Sequence, residues 1–151
     1  MKTIKLKITT PERIVFEGEA RQVTLPTQMG EITILPDHVP IISNIKAGIV
    51  EAQQEKKIVP MAISGGFLEF HGNELTILAD TAERAEEIGL ERAEKARKMA
   101  EKMKQDKQKN IDETQYASVV SQIEKQLARI KVVKKYTPRS KRGVVLENGN
   151  N

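Results

Sequence analysis

Near Asp80 the hydrophobic pattern changes its period, so the chain must join two different kinds of local structure end to end. Before that point, short apolar or alternating runs are separated by Gly and Pro. Ile4, Leu6 and Ile8 alternate with Lys5, Lys7 and Thr9, which reads as a half-buried strand. Residues 13–16, 21–25, 31–35 and 45–53 read as further strands. Pro60 interrupts the run 58–64; because proline cannot donate to a ladder, it predicts an edge or a bulge there. Residues 67–70 and 75–79 flank His71-Gly72-Asn73-Glu74, a hairpin signal. Short strands at this spacing predict an antiparallel sandwich or flattened barrel. Aromatics are 3% of the chain and Trp is absent, so the core must rest on Ile, Val and Leu.

After Asp80 the period is helical. Leu90, Ala93, Ala96, Ala100 and Met103 form a stripe at i+3/i+4 spacing, with Glu91–Lys95 and Glu94–Lys98 pairs beside it. The polar stretch 104–110 interrupts the stripe, and Asp112 with Gln115 reads as a capping box opening a second helix. Its predicted apolar face is Tyr116, Val119, Val120, Ile123, Leu127 and Ile130. The expected fold class is therefore α+β: an N-terminal antiparallel β-sandwich over 1–84, then an antiparallel two-helix hairpin over 85–136. Residues 137–151 read as a basic, disordered tail. The first helix offers mostly Ala and Met to its partner, and a buried Ala contributes far less than the roughly 1.5–3 kcal/mol of a buried Leu or Ile. A hairpin glued so thinly is suited to undocking.

The net charge is +4, but residues 131–151 hold six basic side chains against Glu147, so the basic excess belongs to the tail. Such a tail offers phosphate contacts, and a β-sandwich adaptor docking on nucleic acid is the alternative reading. Cysteine is absent, which removes disulfides and thiolate chemistry and fits a reducing compartment. The opening residues carry no apolar run of the signal-peptide kind, and no stretch approaches the ~20 apolar residues of a membrane span. The chain is expected to be soluble and intracellular. Its two histidines, His38 and His71, lack partners at metal-ligand spacing. Gly65-Gly66 has no Lys-Ser/Thr behind it and so is no phosphate loop. No nucleophile and base are suggested, so no catalytic residue, metal or cofactor is expected.

Two long segments carry a resemblance. Residues 25–27 (Leu-Pro-Thr) and 30–40 (Gly-Glu-Ile-Thr-Ile-Leu-Pro-Asp-His-Val-Pro), with Ile45-Lys46-Ala47-Gly48, resemble epsilon subunits of the bacterial rotary proton-translocating ATP synthase. So do residues 63–70 (Ile-Ser-Gly-Gly-Phe-Leu-Glu-Phe) and the run from Leu75 to Ala85. The similarity extends in order from about residue 3 to residue 135; the tail from Thr137 has no counterpart. The resemblance implies a non-catalytic central-stalk subunit on the cytoplasmic face of the cell membrane, peripheral and without direct membrane insertion. It implies a sandwich foot that binds the gamma subunit and the ring of c subunits, coupling proton flow to ATP synthesis. It implies a hairpin that extends to the catalytic alpha and beta subunits and restrains ATP hydrolysis. On this pattern Glu31 and His38 face the c ring, and Lys125, Arg129, Lys131 and Lys134 make the inhibitory contact; no nucleic acid is involved.

Some members of this family also bind ATP on the folded hairpin through an Ile-Asp-x-x-Arg-Ala motif, a preceding Glu and basic residues on both helices. Glu83, Ile88, Arg92, Ala93 and Arg129 match that pattern here. Gly89 stands where the motif has Asp, Met99 replaces one expected Arg and Lys125 another. Losing a charged hydrogen bond costs about 1.5–3 kcal/mol, and Lys125 cannot offer a bidentate fork. The expected outcome is weak or absent ATP binding.

Overall fold

The structure, a computed structural model, describes residues 1–107 and 113–136. Ten strands come first: β1 (Ile4–Thr9), β2 (Ile14–Ala20), β3 (Gln22–Thr27), β4 (Gly30–Ile34), β5 (Ile41–Ile45), β6 (Gly48–Gln53), β7 (Ile58–Ile63), β8 (Gly66–His71), β9 (Glu74–Ala79) and β10 (Ala82–Arg84). A 3₁₀ turn over Ala85–Glu87 then leads to α1 (Leu90–Lys107) and α2 (Glu113–Tyr136). The strands run in the order β10-β7-β6-β3-β5-β8-β9-β1-β2, with β4 also on β3. β3 and β5 share one residue pair, Thr27 with Ile45, and there the sheet turns into a second layer. The core between the layers is aliphatic, with Ile4, Leu6, Ile8, Leu25, Ile34, Met61, Ile63, Leu68, Leu75 and Ile77 all essentially without exposure.

The expected class, an antiparallel sandwich followed by a two-helix hairpin, is the class observed, with one parallel strand pair. Several boundaries differ. Residues 45–53 do not form one strand: Lys46 and Ala47 separate β5 from β6, because Ile45 pairs with Gly66 on β8 whereas Gly48 pairs with Ile63 on β7. β2 runs to Ala20, four residues past the expected end, and β1 pairs with β9 in parallel, so the sandwich is not wholly antiparallel. Pro60 faces Glu51 of β6 on one side, but β10 reaches only to Met61 on the other. The proline thus sits where β7 is an edge, as its missing N–H requires.

The helices pack antiparallel. Lys134 near the end of α2 pairs with Glu94 near the start of α1 at 3.4 Å, while Lys104 lies over the Tyr116 ring at the other end. α1 continues through Lys104 to Lys107 rather than stopping at the polar stretch. Gly89 caps it, its carbonyl accepting from Ala93 N–H at 3.0 Å. The capping box at Asp112 and the tail 137–151 lie outside the described residues.

The buried face of α2 matches the expected one in part: Val119 and Ile130 are buried and Val120 and Ile123 half-buried, but the face is wider and shifted. Val119, Gln126, Ala128, Ile130, Val132 and Val133 are buried, whereas Tyr116 and Leu127 are exposed. The reason is that α2 has two partners, α1 and the outer face of β6 and β7. Ala62 of β7 points outward between the inward Met61 and Ile63, and packs with Ala128, Ile130, Val132 and Val133. This second cluster shares no buried residue with the sandwich core.

Candidate functional site

Three sets of contacts converge on the seam between sandwich and hairpin. The first is the linker. Arg13, just before β2, donates twice to Glu87, at 3.3 and 3.0 Å, and the Arg84 N–H donates to the same carboxylate at 3.1 Å. The Arg84 guanidinium lies over the Phe16 ring. The hydrogen bond from Arg13 holds the Glu87 carboxyl below its ordinary range. The chain is therefore fastened to the sandwich as far as residue 87.

The second feature is the pair Glu83 on β10 and Arg129 on α2. Arg129 Nε stands 2.6 Å from Glu83 Oε2, and its Nη1 donates to Gln126 Oε1 at 2.8 Å. The Nε–H is not aimed along a hydrogen-bond direction, so proximity of charge holds the pair. Ile88 and Ala93 have no exposure at all and belong to the cluster under α2, while Arg92 is exposed on α1. Of the five residues matched to the ATP motif, two are thus packing residues and two are paired with each other.

The third feature went unseen in the sequence. At the C-terminal end of α2, Lys135 Nζ donates to Glu51 Oε1 at 2.7 Å, and the Tyr136 hydroxyl donates to the same oxygen. Glu51 lies on β6, on the face that receives the helix. Burial pushes the Glu51 carboxyl up, but the bonds from Lys135 and Tyr136 outweigh it, and the pKa falls below the ordinary 4.5. Lys135 is raised above its ordinary 10.5, chiefly by its bond to Glu51. The depressed carboxyl stabilises docking above pH 4.5 and loses that effect as the pH falls through its folded value; the raised amine contributes below 10.5 and is lost above. We therefore expect amide exchange over residues 128–136, corrected for intrinsic rates, to speed up severalfold below pH 4. Glu51→Gln should remove most of that acid dependence; an unchanged profile would show that the clamp does not hold α2.

The other expected site residues lie elsewhere. Glu31 is exposed on β4, opposite Pro26. His38 is half-buried in the β4–β5 connection, its ring edge-on to Phe70 at 5.9 Å and its Nδ1 2.7 Å from the Val39 carbonyl oxygen. Leu35 and Val39 are exposed in the same connection, and Met29 is exposed in the turn before β4. Lys125 and Lys131 do not share a face, since positions six apart on a helix point about 120° apart. Lys134 is paired with Glu94 and Arg129 with Glu83, so in this docked arrangement the four cations form no single patch. Among the described residues no three side chains group as metal ligands, and no helix is long and apolar enough to cross a membrane.

A β-sandwich carrying a two-helix hairpin on its outer face defines the class of protein. A family model described as ATP synthase, Delta/Epsilon chain, beta-sandwich domain matches residues 3–85. The ATP synthase epsilon chain of Desulforamulus reducens is 43% identical over 111 residues, 74% of this chain and 84% of that relative. That of Moorella thermoacetica is 38% identical over 132 residues, 87% of this chain and 96% of the relative. A chain in the cryo-EM structure of Euglena gracilis mitochondrial ATP synthase, OSCP/F1/c-ring in rotational state 1, superposes with a TM-score of 0.68 at 24% identity. The match covers 88% of this chain and 80% of that one, and shows a shared fold. The chain belongs to the ATP synthase delta/epsilon family, and its curated relatives are epsilon chains.

Proposed function

We propose that this chain is a non-catalytic central-stalk subunit of a proton-driven ATP synthase. It couples proton flow through the c ring to ATP synthesis and restrains ATP hydrolysis through α1 and α2. The observation that carries this reading is the separation of the two clusters: the helices rest on a sandwich whose own core does not include them. Residues 1–84 act as the rotor-binding foot and 85–136 as the regulatory hairpin. Exposed apolar side chains stand on the second layer, Phe67 on β8 directly paired with Leu78 on β9 and Ile42 on β5 diagonal to them, and suit the gamma subunit. The Glu31 strand and the His38 connection meet the polar loops of the c ring. The extended helices meet the catalytic alpha and beta subunits through Lys125, Arg129, Lys131 and Lys134, once the pairs to Glu83 and Glu94 open. The protein works at the cytoplasmic face of the cell membrane, peripherally.

Glu31→Lys tests the ring-facing assignment. Reversing an exposed interface charge should weaken ring affinity by roughly two- to tenfold, and ATP-driven proton pumping in reconstituted vesicles should fall while the isolated subunit folds normally. Unchanged pumping with normal assembly would take Glu31 out of the interface.

ATP has no strong site on this hairpin. Gly89 at the α1 cap carries no carboxylate, Met99 no charge, and Arg129 is paired with Glu83. Isothermal titration of the purified subunit is expected to give no micromolar dissociation constant for ATP; a micromolar value would show that the remaining residues suffice.

A further inference from the structure

Among the described residues, the non-glycine positions with positive φ are Asp37, at 63°, and Asn73, at 61°. Left-handed backbone is unfavourable for residues with a Cβ and least so for Asn and Asp. These two lie 36 residues apart, in different strand connections, and they bond to each other. The Asp37 N–H donates to Asn73 Oδ1 at 2.6 Å, and Asn73 Nδ2 donates back to Asp37 Oδ1 at 3.1 Å. Lys2 Nζ reaches Asp37 Oδ2 at 2.5 Å, and the Asn73 carbonyl accepts from Lys5 N–H at 2.9 Å. The β4–β5 connection is thus tied to the β8–β9 turn and to the start of β1. Within the connection, the His38 N–H donates to the Leu35 carbonyl at 3.2 Å. Unfavourable backbone conformations persist where the surroundings over-determine them, and they cluster where the shape of a segment is used.

We propose that Asp37 and Asn73 form a positioning clamp for the loop 36–40, and that Asn73 thereby sets how tightly the His38 loop engages the ring it faces. The proposal rests on the reading of that loop as ring-facing. A loop already held in its bound shape loses less freedom on association, so the clamp raises affinity from a residue that belongs to another hairpin. Bonds from Lys2 and then Asn73 hold the Asp37 carboxyl below its ordinary range, so the clamp is complete at neutral pH.

Asn73→Gly in the full chain deletes the side-chain bonds and keeps the backbone at ease, because glycine accepts positive φ. The variant should melt with the wild type. Exchange at the Asp37 and His38 amides should become about tenfold faster, and binding to a purified c ring with gamma in detergent should weaken by about tenfold. If Asn73→Gly lowers the melting temperature, Asp37→Gly tests the carboxylate half of the clamp: it removes the bonds from Asn73 Nδ2 and Lys2 and keeps the backbone N–H bond to Asn73 Oδ1. Wild-type exchange rates in these variants would overturn the clamp. Faster exchange with unchanged ring binding, while His38→Ala weakens it, would overturn the effect on affinity. Unchanged ring binding in His38→Ala would instead remove the ring-facing reading, and the proposal with it.

Discussion

Replacing Gly66 with alanine is expected to destabilise the sandwich by at least about 3 kcal/mol. Gly66 opens β8 with φ +130°, a conformation that residues with a Cβ rarely adopt. An added Cβ would overlap the Leu78 carbonyl oxygen and stand 2.8 Å from Ala79 Cα, both backbone atoms of the neighbouring strand. Although Gly66 is the first residue of β8, it is paired on both sides, with Ile45 on β5 and Ala79 on β9, so its backbone has little room to step aside. The Cβ at Gly72, by contrast, meets nothing within 4 Å, so Gly72→Ala carries only the strain of its φ of +57°. Thermal melts followed by circular dichroism should show Gly66→Ala lower by about 10 °C or more. A melt within a few degrees of wild type would mean that β8 and β9 are spaced more loosely than this.

The second large effect concerns the hairpin. A chain ending at Glu87 keeps β10 on β7, keeps Ala82 in the core and keeps the Arg13–Glu87 tie. It loses Ile88 and both helices, exposing Ile49 and Ala62, which are small or partly exposed already. This fragment should fold, melt cooperatively and retain the strand signature in circular dichroism. A cut before Ala82 should do worse, because it removes the β10 ladder with Ala82 itself. An unfolded 1–87 fragment would show that the sandwich depends on its helices.

How far these features were legible in the sequence depends on how local their causes are. The alternation of Ile4, Leu6 and Ile8 and the turn at Gly72-Asn73 lie within a few residues, and β1, β8 and β9 follow them. The break at Lys46-Ala47 was hidden because residues 45–53 hold no Pro or paired turn residues, and pairing with different neighbours makes the division. For α2, a single i+3/i+4 stripe describes one face where two are buried, so it omits Val132 and Val133 and includes the exposed Leu127. One signal did mark the docking surface: Met61-Ala62-Ile63 is a continuous apolar run, the mark of a strand covered on both faces. Ala in the middle is the size that lets a helix approach. The clamp of Glu51 with Lys135 and Tyr136 joins residues 84 and 85 positions apart, and no local pattern announces such a pair.

If α1 and α2 restrain hydrolysis from a sandwich that stands without them, ATP hydrolysis by the assembled complex depends on their presence. Complexes built with residues 1–87 and with the full chain should assemble equally and bind the ring equally. The truncated complex should hydrolyse ATP faster at low proton-motive force, by a factor in the roughly 5- to 100-fold range of allosteric coupling. Equal hydrolysis rates in the two complexes would contradict the account.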